Sequence, residues 1–114
     1  MNRFTVVIAD GTLRDIKSIG TWVAEHESVE TSDLVVDALF AAIESLTAFP
    51  NRGAVLPEFE GIVFPMYRQC IVHGYRIVYR VSDSHVYVLS IVHQRRDLQS
   101  AIRNRLINAV ANDE

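Results

Sequence analysis

Hydrophobic positions along this chain change their period several times. Over Arg3 to Ala9 they alternate, with Phe4, Val6 and Ile8 on one face, which predicts a first strand rich in Thr, Val and Ile. Asp10-Gly11 breaks it. From Thr12 the spacing lengthens, and Leu13, Ile16, Gly20 and Val23 mark one side of a helix running to about His26, with Thr12 and Asp15 placed as in a capping box. Glu27 to Ser32 is a polar connector. A second helix extends from about Ser32 to Phe49, where Pro50 stops it and Asn51-Arg52-Gly53 turns the chain. Two helices so closely linked predict an antiparallel hairpin over residues 12–49.

In the second helix Val35, Leu39, Ala42, Ile43 and Leu46 already supply a core stripe, yet Leu34, Val36, Phe40 and Ala41 add apolar surface around the rest of its circumference. That surplus calls for burial against either a C-terminal helix or another polypeptide. Gly53 to Met66, with Pro57, Gly61 and Pro65, reads as an irregular connection. Alternation then returns in Tyr67 to Val72, Tyr75 to Val81 and Val86 to Val92, divided by His73-Gly74 and by Ser82 to His85, as in an antiparallel three-strand meander. Arg76, Val78 and Arg80 share one face of it; Tyr75, Ile77, Tyr79 and Val81 share the other, toward the helices. Asp97 caps a last helix with Leu98, Ala101, Ile102, Leu106, Ala109 and Val110 on its apolar side. The expected fold class is α+β.

The 114 residues suit one domain spanning 1–114. With a lone cysteine, Cys70, no internal disulfide is possible and a reducing cytoplasm is the default setting. No apolar run nears the roughly 20 residues of a membrane span, and the N-terminus is too soon charged for a signal sequence.

The net charge of −3 hides an uneven distribution. Residues 1–60 carry four basic and ten acidic side chains, whereas residues 61–114 carry seven basic and four acidic ones, and all seven are Arg. Arg presents a planar, permanently charged fork to phosphate or carboxylate. Arg68, Arg76, Arg80, Arg95 and Arg96, with His93, are therefore candidates for an anion-recognising surface at one end of the sheet; solvated strand faces are the plain alternative. The acidic total disfavours general nucleic-acid binding. His93 is either a strand-end imidazole bonded to its neighbours or a proton carrier. Tyr75 and Tyr79 alternate with the arginines and read as core. His26, His73, His85 and His93 show no metal-ligand spacing, and no cofactor motif is present.

Taken in order, Ser45-Leu46-Thr47-Ala48-Phe49-Pro50-Asn51-Arg52-Gly53, Gly74-Tyr75-Arg76-Ile77-Val78-Tyr79-Arg80-Val81 and Val88 to Leu98, with its His93-Gln94-Arg95-Arg96-Asp97, make the chain resemble the RelE/ParE superfamily of toxins from bacterial toxin-antitoxin modules. The resemblance implies two competing activities. RelE-like toxins cut messenger RNA in the ribosome with sheet-face basic residues and a C-terminal tyrosine; Arg76 and Arg95 fall on the arginine positions, and His93 is a possible substitute proton carrier. The strand Tyr67 to Val72 has no lysine and the segment after Asp97 no tyrosine, and each positioned acid-base group is worth about 10²- to 10⁴-fold. ParE-like toxins instead poison DNA gyrase, and the lysine-poor sheet and the His93 to Asp97 ending look more like that branch. The implied partners are a cognate antitoxin covering Leu34, Val36, Phe40 and Ala41 in a hetero-oligomer, and gyrase, or the ribosome in the alternative. A detoxified relative that only binds antitoxin is a third reading.

Overall fold

The computed structural model describes residues 3–56 and 67–95 and, beyond them, Arg105. The expected C-terminal helix with its Asp97 cap, the residues 57–66 of the irregular connection, and Arg96 lie outside the described residues.

The first strand, β1 (Thr5–Ile8), is shorter than its sequence pattern. It leads into helix α1 (Asp10–His26) and helix α2 (Val29–Ser45), then strands β2 (Ala54–Val55), β3 (Arg68–Val72), β4 (Tyr75–Ser82) and β5 (His85–His93). They form one sheet in the order β1-β5-β4-β3-β2. β3, β4 and β5 are the antiparallel meander, β2 adds an antiparallel edge that the irregular-looking sequence concealed, and β1 joins parallel to β5, with Thr5 opposite His85.

Helix boundaries depart from the sequence reading for a local reason. Ser28, not Ser32, caps α2: its Oγ accepts the Thr31 N–H at 3.0 Å, so the helix begins earlier and the connector shrinks. Ser32 instead donates to the Gly20 carbonyl at 2.6 Å and ties the helices together. α2 ends at Ser45, and a tight turn bonded through Leu46 and Thr47 carries the chain to Pro50. The proposed capping box of α1 is also not formed, since Ala9 occupies the cap without a side-chain bond. Thr12 and Asp15 reach across to β5.

That reach has a clear cause. β1 covers β5 only from His85 to Val88, leaving polar backbone groups of Leu89 to His93 without a strand on that side. Side chains take its place. Thr12 Oγ1 donates to the Val88 carbonyl at 3.0 Å, Asp15 Oδ2 accepts the Ile91 N–H at 3.0 Å, and Arg105 Nη1 donates to the Leu89 carbonyl at 2.9 Å.

The main core lies between helices and sheet. Ile16, Val35, Leu39, Ile43 and Leu46 meet Cys70, Ile77, Tyr79, Val86, Val88 and Ile91. Tyr75 and Val81 pack beside it, as expected of that face of β4. A second cluster, Leu56, Tyr67, Val78 and Val92, is buried on the far face of the sheet. The expected open, arginine-lined face is therefore in part an apolar, covered one.

Candidate functional site

Because Tyr75, Ile77, Tyr79 and Val81 pack toward the helices, Arg76 and Arg80 point to the far face of the sheet, as the alternation of β4 requires. Arg68 does not join them. It stands opposite Tyr79 in the register and is drawn to the helix side, where its Nη1 donates to the Gly53 carbonyl at 2.7 Å. Its role is to anchor the turn before β2, which corrects its placement on a shared binding surface.

His93 is likewise on the helix side. It pairs with Tyr75, their rings meeting edge to face at a centroid distance of 5.4 Å, and its Nδ1 accepts the backbone N–H of Arg95 at 3.2 Å. Arg76 pairs instead with Val92 and faces away. The expected trio of Arg76, His93 and Arg95 thus splits: the imidazole is separated from the Arg76 guanidinium by the thickness of the sheet, and Arg95 is exposed just past the strand. The extra residue in β5 decides this: counted from Tyr87, strict alternation would put His93 on the far face, and the one-residue step at Leu89 moves it to the helix side.

Arg80 belongs to the other end of β4. The register steps between Val78 and Tyr79, leaving Leu89 as an extra residue on β5. Beyond that irregularity Arg80 pairs with Tyr87, and its guanidinium carbon lies 4.3 Å from the Tyr87 ring centroid. The His85 ring lies nearly parallel to Tyr87, with centroids 5.9 Å apart. Tyr67, also on this face, is almost fully buried; burial raises its hydroxyl pKa above the ordinary 10.0, and the charge of Arg80 partly opposes that rise. Neither Tyr87 nor His85 was singled out from sequence as part of a site. The Ser82–His85 turn sets the register that pairs Tyr87 with Arg80.

A second concavity, about 760 Å³, opens between α1, the start of α2 and the Tyr75–His93 end of the sheet. Ile19, Trp22, Val35 and Ile91 give it an apolar floor, and Asp15, Glu27, His73 and His93 a polar rim. Trp22, half exposed, stacks on His26 with centroids 4.3 Å apart.

On α2, Leu34, Phe40 and Ala41 are exposed, the first two by 56% and 42%. Val36 is not: it packs against the core and reaches Gly20, where an added Cβ would stand 3.1 Å from its Cγ2. Val36 is therefore part of the close approach of the two helices, which removes it from the outward patch expected on α2. Among the described residues no three His, Cys, Asp or Glu side chains gather as a metal site requires.

The family described as the ParE toxin of type II toxin-antitoxin systems, parDE, matches residues 6–98. Solved structures that share the fold include the following three. The chromosomal ParDE toxin-antitoxin system from P. aeruginosa aligns with a TM-score of 0.66 and 17% identity, over 80% of this chain and 96% of that one. A mutant of the E. coli toxin RelE in its free state gives 0.58 and 14%, over 95% and 98%. The toxin-antitoxin complex RelBE2 from Mycobacterium tuberculosis gives 0.55 and 19%, over 80% and 98%. A search of curated proteins finds no match.

Proposed function

Because the chain belongs to the ParE toxin family of type II toxin-antitoxin systems, we propose that it acts by binding DNA gyrase, blocking replication, and that a cognate antitoxin neutralises it by covering its surface. The observation that supports binding over nuclease chemistry is the separation of Arg76 from His93 by the sheet. Cleavage through a 2′-hydroxyl needs a proton carrier beside the guanidinium that stabilises the phosphate, whereas recognition needs only a complementary surface. Arg76, Arg80 and Arg95 are the target-binding residues of this reading. Leu34, Phe40 and Ala41 are its antitoxin-binding residues, supported by their exposure on a helix whose Val35, Leu39, Ala42 and Ile43 are buried.

Inducing the chain without an antitoxin tests this directly. DNA synthesis should fail before translation does, and the purified chain should suppress supercoiling by gyrase. Transcript cleavage in a translating extract, abolished by Arg76→Ala and Arg95→Ala while gyrase is unaffected, would replace this reading with the RelE-like one. Absence of any growth arrest would leave a detoxified binding protein.

A further inference from the structure

The Arg80 guanidinium carbon lies over the Tyr87 ring, 4.3 Å from its centroid. A guanidinium carries five N–H donors, and a ring beneath its carbon contacts one side of the group and supplies no oxygen acceptor to pair with them all. Among the described residues no carboxylate pairs with Arg80. Beside it is a cavity of about 220 Å³, walled by the Tyr67 and Tyr87 rings and by the apolar side chains of Val7, Ala9 and Leu89. The register step at Leu89 carries that side chain to the wall.

These features constrain what fits. A phosphate monoester spreads its charge over three oxygens and is usually met by several charged donors, but this cavity offers one guanidinium fork and, apart from its two tyrosines, apolar walls. A carboxylate on a short aliphatic stem matches both: two oxygens for the fork, methylenes for Val7, Ala9 and Leu89. We infer that the Arg80–Tyr87 cavity is a receptor for a glutamate or aspartate side chain presented by a partner polypeptide. The inference rests on the proposed function only for the partner's identity, the antitoxin being the polypeptide meant. Because ring stacking already fixes Arg80, docking loses little side-chain freedom.

The test titrates the full chain with N-acetylglutamate N-methylamide, whose only charge is the side-chain carboxylate, and follows the Arg80 Nε–H and backbone amides by NMR. Saturable shifts should be confined to Arg80, Tyr87 and their strand neighbours. The neutral glutamine analogue should bind about tenfold more weakly or less, as loss of a charge-assisted hydrogen bond implies. Arg80→Lys, which keeps the charge but lacks the fork, and Tyr87→Leu, which keeps apolar volume but loses the stack, should each weaken the response. Equal response to the glutamine analogue, retention of binding in Arg80→Lys, or tighter saturation by inorganic phosphate would overturn the inference. Should either variant fail to fold, the comparison of the three probes on the unaltered chain still decides. Growth arrest is read separately: arrest without carboxylate binding rejects this site alone, and carboxylate binding without arrest rejects the toxin reading alone.

Discussion

Asp15 and Arg105, ninety positions apart in the chain, meet at 2.7 Å beside the part of β5 that β1 leaves uncovered. Each also bonds the strand itself, Asp15 through the Ile91 N–H and Arg105 through the Leu89 carbonyl. About four-fifths of each side chain is buried, and a Cβ at Gly11 would stand 2.7 Å from the guanidinium. The pair therefore serves as a substitute strand edge rather than as a surface ion pair of negligible worth.

Asp15→Ala should lower stability by about 2–3 kcal/mol, because it orphans the Ile91 N–H and strips Arg105 of its counter-charge. Asp15→Asn keeps an acceptor and should lose less. Urea unfolding followed by circular dichroism measures both, and equal midpoints for Asp15→Ala and the parent would refute the edge role.

Gly53→Ala should destabilise by roughly 2 kcal/mol, since an added Cβ would lie 2.5 Å from the Gln69 carbonyl oxygen and 2.7 Å from the Tyr79 hydroxyl. Tyr79→Phe removes the hydroxyl that accepts the buried Gly53 N–H at 2.9 Å and should cost about 1–3 kcal/mol. Thermal melts of the two single variants and of the double variant would show strongly non-additive losses if the two residues act through this one contact.

Alkali should weaken the fold. Burial raises the Cys70 thiol above its ordinary 9.0, an effect that Arg52 and a bond with Tyr79 oppose, and burial raises Tyr67, Tyr75 and Tyr79 above 10.0. Between the unfolded and folded values the unfolded chain has lost protons that the folded chain retains, so stability is full below about pH 9 and declines as pH rises through the folded values. Urea midpoints measured from pH 8 to 11 should fall, and less steeply in Tyr79→Phe than in the parent.

Leu34→Glu and Phe40→Glu should change stability by no more than about 0.5 kcal/mol, as both side chains are exposed. Val36→Asp should cost about 2 kcal/mol by placing a charge against α1. On the proposed function the first two release the antitoxin from a folded toxin, which co-purification and circular dichroism together would establish; undiminished capture would rule out that face.

The elements legible from sequence were those whose period is local. The α2 stripe of Val35, Leu39, Ala42, Ile43 and Leu46 is buried as its spacing requires, and the inward face of β4 follows its alternation. What escaped depended on partners distant in sequence. Thr12 and Asp15 fit a capping box, yet the unpaired edge of β5 claimed both side chains. The two residues of β2 carry too little pattern to mark a strand, and only β3 beside them makes them one. For the site, the outward turn of Arg76 and Arg80 was readable, but Arg68 and His93 were grouped with them by proximity along the chain, when strand parity puts Arg68, and the extra residue in β5 puts His93, on the other side. The Arg80–Tyr87 pair lies in the register set by the Ser82–His85 turn, so the strand bounds implied it; the face of His93 was hidden because it follows from the register step at Leu89.

The parallel pairing of β1 with β5 also bears on how the molecule comes into being. Thr5 is made eighty residues before its register partner His85. The apolar stripe of the helical hairpin stays unsheltered until β4 and β5 are made, and contacts this remote in sequence slow folding. A chain lacking β5 has no partner for β1 or for the free edge of β4, and so presents no finished sheet to any target.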